Sequence, residues 1–130
     1  MSANIKYVST NNAPSPAGPY SQAVVTNGFV YVSGQIPLDP ETRKIVSEDI
    51  REQTIQTLKN LGKVLEAAGC SYQNLIKTTV YIKDMNDFDV MNKAYGEVIG
   101  DARPARACVE VARLPLDVKI EVDAIASLNA

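Results

Sequence analysis

The sequence predicts an α+β fold in which one β-sheet carries two helices on a single face. Six short segments have the alternating or β-branched pattern of strands, and two longer segments repeat apolar residues every three or four positions, as amphipathic helices do. Their order is β-β-β-α-β-α-β-β, which is typical of an α+β domain. The chain has 130 residues, of which 45% are hydrophobic, so we expect residues 1–130 to form one domain with its own core.

The N-terminal part of the chain predicts a short strand followed by a β-hairpin. The short strand lies near Lys6 to Val8, and a proline-rich connection follows it. Ala23 to Thr26 and Phe29 to Ile36 then flank Asn27-Gly28. That pair tolerates the positive φ angles of a two-residue type I′ turn, so a hairpin is predicted.

The middle of the chain predicts two helices with a strand between them. Ser47 is a plausible N-cap for the first helix, with Glu48 and Asp49 in the first turn to complement the helix dipole. Leu75 to Ile82 is rich in β-branched residues and predicts a strand. Gly69 and Gly100 are predicted to end the two helices. The apolar positions are Ile50, Thr54, Leu58, Leu61, Leu65 and Ala68 in the first helix, and Phe88, Met91, Tyr95 and Val98 in the second.

The last two predicted strands, residues 106–111 and 118–124, place charged side chains on sheet faces. A period of two puts Arg106, Cys108 and Glu110 on one face of their strand, and it puts Glu121 and Asp123 together on a face of the other. Cross-strand ion pairing is the simple explanation for such charges. Proximity alone would pair the two strands as a hairpin across residues 113–117.

The composition excludes several kinds of function. The formal net charge is −2 and no run of Lys or Arg exceeds two, so the electrostatic footprint of a nucleic-acid-binding protein is missing. The chain has no histidine and only two cysteines, Cys70 and Cys108. These cannot supply a zinc site or a histidine-activated nucleophile, and they do not form a disulfide framework. Any chemistry must use Arg, carboxylates, Tyr, backbone groups and water.

The sequence carries no feature that predicts a membrane or export destination. No apolar run approaches the roughly 20 residues that span a bilayer, and the N-terminus lacks the core of a signal peptide and an Arg-rich presequence. We expect a cytoplasmic location, with the mitochondrial matrix left open.

Four motifs together resemble the signature of the Rid family, also called YjgF, the reactive-intermediate deaminases. The similarity spans nearly the whole chain, and the mild departures are Ala107, where serine is frequent, and Val122, where isoleucine or methionine is more usual. The motifs are Gly18-Pro19-Tyr20-Ser21-Gln22-Ala23, Ser33-Gly34-Gln35-Ile36-Pro37, residues 77–85, and Pro104-Ala105-Arg106-x-Cys108-Val109 followed by Ile120-Glu121.

The resemblance implies a particular topology and assembly. The Rid fold is similar to that of Bacillus-type chorismate mutase, in which the final strand enters the middle of the sheet, and we follow that arrangement over the hairpin. The sheet is then mixed and its uncovered face must be buried. The family buries it in a homotrimer, and its members keep their active sites in the clefts between subunits.

The resemblance also implies an activity, the hydrolysis of 2-imino and 2-enamino acids such as 2-iminobutyrate and 2-iminopropionate to 2-keto acids and ammonia, without a cofactor. Arg106 offers a planar fork suited to a substrate carboxylate. Glu121 is the candidate to orient or deprotonate water, through a pKa raised by desolvation. Cys108 is expected to contribute its backbone carbonyl, because its thiol has no histidine to activate it.

The remaining predicted site residues come from the other motifs. The resemblance implies that Tyr20 and Ser33 complete the pocket by hydrogen bonding and that the backbone near Gly34 helps to hold the carboxylate. Tyr20 would otherwise simply pack on the edge of the domain. Asn92 is either ordinary helix surface, which we favour, or a neighbour of the pocket by family analogy. Arg103 and Arg113 are interpreted as solvated loop charges, with Glu110 paired to one of them.

Two other functions remain open at this point. One is a non-catalytic trimer with a regulatory or chaperone-like role, in which Arg106 anchors a small carboxylate without turnover. The other is the ribonuclease activity sometimes ascribed to the family, which the missing basic patch and the missing histidines support poorly.

Overall fold

The computed structural model describes residues 4–129, which form one six-stranded mixed sheet and two α-helices. The predicted order of elements is confirmed. The two helices are α1 (Ile50–Ala67) and α2 (Phe88–Ile99). The strands are β1 (Lys6–Val8), β2 (Ala23–Thr26), β3 (Phe29–Gln35), β4 (Leu75–Ile82), β5 (Ala105–Glu110) and β6 (Ile120–Ser127).

The last strand lies inside the sheet. The spatial order is β1-β2-β3-β6-β4-β5, with β6 antiparallel to both of its neighbours and β5 parallel to β4. A hairpin between β5 and β6 is therefore absent, and the interior placement of the final strand is confirmed. As a result, β5 is an edge strand.

The predicted boundaries were wrong by one or two residues at several strand ends, and two differences matter most. The N-cap of α1 is Asp49, whose side chain accepts a hydrogen bond from the Glu52 N–H. Ser47 instead accepts the Asp49 N–H, so it shapes the turn before the helix. The strand β6 runs to Ser127, beyond the predicted end at 124, because the alternation of buried and half-buried residues continues.

The hairpin prediction is confirmed in its backbone conformation. Asn27 and Gly28 have φ angles of 51° and 82°, as a type I′ turn requires. The turn connects β2 directly to β3, and it therefore sets the register in which Ala23 pairs with Val32.

The core lies between the helices and one face of the sheet. Three leucines of the predicted stripe in α1, Leu58, Leu61 and Leu65, are fully buried. Buried amides also tie α1 to nearby loops. Gln53 accepts the Lys119 N–H at 2.8 Å, and Asn60 donates to the carbonyl oxygens of Ile36 and Leu38 at 3.0 and 2.9 Å. Because these donors and acceptors are buried and paired, they fix the segments that leave β3 and enter β6.

The other face of the sheet carries exposed apolar side chains. Tyr7 is 71% exposed and Tyr31 is 41% exposed, and Phe29 and Val109 are also exposed. Neither helix covers this open face within residues 4–129. None of the helices in that range combines the length and the apolar character that crossing a membrane would need.

Candidate functional site

The predicted site residues other than Cys108 line two cavities. The first, of about 320 Å³, lies beside α2 and includes Arg106 and Asn92. The second, of about 720 Å³, lies at the end of β3 and includes Tyr20, Ser33 and Glu121. The structure therefore brings the predicted residues together in two groups.

Arg106 lies on β5, against aromatic rings of α2. It is paired in register with Thr78, and its guanidinium carbon lies 4.8 Å from the centroid of the Tyr95 ring and 5.7 Å from that of Phe88. The Tyr95 hydroxyl is hydrogen-bonded to the Thr78 hydroxyl at 2.8 Å, which holds the ring beneath the cation. These contacts orient the guanidinium by cation–π attraction. No carboxylate within residues 4–129 forms an ion pair with it, so its charge is available for a ligand.

The cross-strand ion pairs that could have explained these charges are absent from residues 4–129. The ion pairs in that range join Arg51 to Glu97, Lys63 to Glu66 and Arg113 to Asp117. Arg106 and Glu121 are in none of them. That explanation of the charged strands was wrong.

Cys108 and Asn92 lie near Arg106. Cys108 shares the face of β5 that carries Arg106 and is half-buried. Burial raises the pKa of the Cys108 thiol, and the positive charge of Arg106 only partly opposes this effect, so the thiol stays protonated at neutral pH. Asn92 is exposed on α2 and lines the cavity of Arg106, a position that fits both of its interpretations, so its place in a ligand pocket stays a prediction.

Glu121 lies on β6 directly behind Gly34. A Cβ atom built at Gly34 would lie 2.8 Å from Glu121 Cδ and 3.1 Å from Glu121 Cγ. No side chain larger than hydrogen fits at position 34 unless the carboxyl group moves. The glycine of the Ser33-Gly34 motif is thus explained by the close approach of this carboxyl group to the backbone.

The surroundings of Glu121 disfavour its charged form. Desolvation by burial raises the pKa of the Glu121 carboxyl, and the negative charge of Asp123 on the same face raises it further. Tyr81 donates a hydrogen bond to Asp123 at 3.0 Å, and this bond raises the pKa of Tyr81. A carboxyl group with a raised pKa is a suitable acceptor of a proton from water.

Tyr20 and Ser33 are held by the segment before β2. The Ser33 hydroxyl donates to the Ser21 carbonyl oxygen at 2.6 Å, and the Tyr20 hydroxyl accepts the Ala17 N–H at 3.3 Å. Tyr20 is 54% exposed and lines the cavity. Its hydrogen bonding to a ligand stays a prediction.

Gln22 organises this segment, a role that the sequence interpretation missed. Its side chain is buried, donates to the carbonyl oxygens of Thr10 and Pro14 at 3.0 and 2.9 Å, and accepts the Thr10 N–H at 2.7 Å. One buried amide thereby fixes the connection that carries Tyr20. Gln22 is part of the motif around Tyr20, so the sequence did single it out. Its hydrogen-bond partners lie 8 to 12 residues away, however, and no local sequence pattern indicates them.

The two groups of residues lie on opposite faces of the sheet. Tyr81 of β4 is in register with Glu121 of β6 and Val109 of β5, whereas the neighbouring Val80 is in register with Cys108. Glu121 therefore shares the open face with Val109, while Arg106 and Cys108 share the face beneath the helices. Within one chain, Arg106 and Glu121 cannot contact the same small molecule.

The remaining charges near β5 have structural partners. Arg103 donates to the carbonyl oxygens of Gly100 and Ala102, and Arg113 pairs with Asp117. Glu110 accepts the Met85 N–H at 2.7 Å, so its predicted pairing with an arginine was wrong.

Known proteins resemble this chain along almost its whole length. The model of the family described as Endoribonuclease L-PSP matches residues 10–128. A RutC family protein of Pyrococcus horikoshii is 56% identical over 90% of this chain and 93% of its own. A mouse protein named 2-iminobutanoate/2-iminopropanoate deaminase is 46% identical over 93% of this chain and 90% of its own. The crystal structure of Escherichia coli TdcF with bound serine, at 42% identity, superposes with a TM-score of 0.89 over 94% of this chain and 98% of that one.

Proposed function

The chain belongs to the endoribonuclease L-PSP family, also known as the Rid or YjgF family, and from this premise we propose that it hydrolyses 2-imino and 2-enamino acids to 2-keto acids and ammonia. Mammalian relatives at 45–46% identity are named 2-iminobutanoate/2-iminopropanoate deaminases. One observation carries the proposal: the guanidinium of Arg106, which stacks on Tyr95, and the desolvated carboxyl of Glu121 form no ion pair within residues 4–129, and this reaction needs both groups.

Arg106 binds the substrate carboxylate in this proposal. Its guanidinium is held by two aromatic rings and offers parallel N–H donors. A bidentate, charge-assisted contact of this kind contributes about 1.5 to 3 kcal/mol. The serine bound to the TdcF relative also carries a carboxylate beside an amine-bearing carbon. Asn92 lies in the same cavity and can add a hydrogen bond.

Glu121 acts on water. The carboxylate accepts a proton as the water oxygen adds to the imine carbon, and the electron pair of the C=N bond moves to nitrogen, which takes that proton back from Glu121 to give a carbinolamine. The hydroxyl proton of the carbinolamine then passes through Glu121 to the amine nitrogen as the C–N bond breaks, so ammonia leaves and the keto C=O bond forms. The raised pKa of Glu121 makes it a better base than an ordinary carboxylate. Tyr20, Ser33 and the backbone at Gly34 complete the pocket around the reacting carbon.

The active site that we propose is shared between subunits of a homotrimer. Arg106 lies on an edge strand and Glu121 lies on the open face, so one chain cannot present both to a substrate, whereas the edge of one chain and the open face of the next can. The exposed Tyr7, Phe29 and Tyr31 supply apolar surface for such an assembly. We infer that three domains, each residues 1–130 in the Bacillus chorismate mutase-like arrangement, meet around an axis in the cytoplasm.

The deciding experiment is a coupled assay in which a PLP-dependent dehydratase produces 2-iminobutyrate from threonine. We expect the protein to accelerate 2-ketobutyrate formation and Arg106→Ala to lower kcat/KM by about 100-fold, the size of one lost charge-assisted contact. Arg113→Ala, which removes an exposed arginine paired to Asp117, is the control. Retained activity in Arg106→Ala would overturn the carboxylate assignment. A folded wild-type trimer without activity would favour the non-catalytic binding role.

Glu121→Gln separates catalysis from binding in the same assay. Because the amide cannot accept a proton from water, we expect the fall in kcat to exceed any rise in KM. The opposite pattern would make Glu121 a binding contact.

A further inference from the structure

Two residues with left-handed backbone lie in the wall of the Glu121 cavity. Arg43 has a φ angle of 61° and Leu116 one of 56°. Among residues 4–129, the other non-glycine residues with positive φ are Asn27 in the hairpin turn and Asp117 next to Leu116. L-residues avoid this conformation, and where it persists it often marks a ligand site. The proposed hydrolysis uses neither Arg43 nor Leu116.

The loop between β3 and α1 holds Arg43 in place. The Asp39 carboxylate accepts the N–H groups of Glu41 and Thr42 at 2.9 and 3.0 Å, and the Arg43 N–H donates to the Asp39 carbonyl oxygen at 2.8 Å. Asp39 is therefore committed to the backbone of its own loop. A glycine would adopt the backbone conformation of position 43 more readily than arginine does, so the turn itself does not require an arginine at this position.

The guanidinium of Arg43 stands at the cavity without an acidic partner. It donates to the Ser15 hydroxyl and to the Ser15 carbonyl oxygen, and Ser15 also lines the cavity. No carboxylate lies within ion-pair distance of Arg43 in the part of the chain that the structure describes. The other charged residue in the cavity wall is Glu121, and apolar residues form half of the remainder: Pro14, Ala17, Ile36, Leu38, Pro115 and Leu116.

We propose that Arg43 is a specificity-determining residue that makes 2-imino dicarboxylic acids, such as 2-iminoglutarate, substrates of this protein. The inference rests on the proposed deaminase function. The first carboxylate of the substrate binds Arg106 of the neighbouring subunit, the methylene groups lie against Leu116, and the second carboxylate binds Arg43. Arginine suits this contact because its fork matches a carboxylate.

Monocarboxylic imines remain substrates in this proposal. When a monocarboxylic imine is bound, Arg43 stays exposed to water and hydrogen-bonded to Ser15, so no charge is buried without a partner. The contribution of Arg43 is therefore read from the ratio of kcat/KM for 2-iminoglutarate to that for 2-iminobutyrate.

The test compares imines released by two amino-acid oxidases, one acting on glutamate and one on 2-aminobutyrate, and follows formation of the keto acids. We expect Arg43→Gly to lower the ratio about tenfold, the lower end of one charge-assisted contact. Arg43→Gln can still donate to Ser15 but has no charge, and we expect it to lower the ratio similarly. Arg51→Ala, which removes an arginine paired to Glu97 outside this cavity, should leave the ratio unchanged.

The outcomes separate the inference from the function on which it rests. Wild-type protein that hydrolyses 2-iminobutyrate but not 2-iminoglutarate overturns the inference alone. An unchanged ratio in Arg43→Gly and Arg43→Gln also overturns it, because Arg43 would then serve only the loop. Wild-type protein that hydrolyses neither imine overturns the proposed function itself.

Discussion

Arg106 and Glu121 lie in contrasting surroundings on the two sides of one sheet. Arg106 is on an edge strand beneath the helices, where the faces of Tyr95 and Phe88 stabilise its positive charge. Glu121 is on a central strand of the open face, where burial and Asp123 destabilise its negative charge. One side of the sheet thus favours an ionised group, and the other side favours a group that takes up a proton.

This separation keeps the two groups available for a ligand. Had Arg106 and Glu121 shared a face on neighbouring strands, they could have formed a cross-strand ion pair, and the carboxyl would then have had a lowered pKa. The exposed pair of Arg51 and Glu97 shows that outcome, because Arg51 lowers the pKa of Glu97. Opposite faces prevent neutralisation within the chain, and in the proposed trimer the substrate lies between the two groups.

The largest effect is expected when chains with opposite defects are mixed. Arg106→Ala trimers and Glu121→Gln trimers should each retain little activity, but co-refolding equal amounts should restore about a quarter of wild-type activity, because random assembly gives that share of sites both intact residues. The measurement is the iminobutyrate assay after refolding, with the same proteins mixed without refolding as the control. If the two residues served a site within one chain, no activity would return.

The open face can be disturbed through Gly34. Gly34→Ala places a methyl group against the carboxyl of Glu121. We expect kcat to fall about 100-fold, which is within the range for a displaced general base. Gly62→Ala is a matched control, since its Cβ would lie 2.8 Å from Tyr72 Cζ, far from the cavity of Glu121. It should reduce stability while leaving kcat intact. Normal kcat in Gly34→Ala would show that Glu121 needs no fixed position.

The helix-covered side can be disturbed more gently through Phe88. Phe88→Leu keeps an apolar side chain but removes one of the rings near Arg106. We expect KM to rise about two- to fivefold with kcat unchanged, the size of an exposed cation–π contact. Val90→Ala, an exposed change on the same helix, provides the control. An unaltered KM would leave Tyr95 as the ring that orients Arg106.

The smallest effect concerns stability and pH. Folding raises the pKa of Glu121, so the folded chain binds the proton of this carboxyl more tightly than the unfolded chain does. Ionised Glu121 therefore lowers the stability of the fold once the pH exceeds the pKa of Glu121 in the unfolded chain, near 4.5. We expect Glu121→Gln to melt slightly higher than wild type at neutral pH, and this difference should disappear as the pH falls below that value. Melting curves at fixed protein concentration measure it.

Glu97→Gln should change the melting temperature at neutral pH in the opposite direction. Arg51 lowers the pKa of Glu97, so that carboxylate stabilises the fold above its unfolded pKa, and the benefit is lost as the pH falls. We expect at most a slight lowering of Tm at neutral pH, because the pair is exposed and contributes little. If both variants shifted Tm in the same direction, the contrast between the two carboxyl groups would be wrong.

The sequence by itself determined the local elements of this protein. Asn27-Gly28 specified its turn, and the apolar spacing of α1 specified its buried face, because turns and helices depend on neighbours within a few residues. Alternation also showed correctly that Arg106 and Cys108 share a face. It could not show which face lies beneath the helices, since a strand pattern has the same period on either side.

Tertiary structure alone decided how the candidate residues are distributed. The position of β6 between β3 and β4 depends on pairings across up to about 100 residues of chain, and only these pairings bring Glu121 behind Gly34. The partners of Gln22 and the cavity wall formed by Arg43 and Leu116 likewise join segments that are distant in sequence. Local sterics and periodicity carry no information about such contacts, because the contacts exist only once the strands have paired.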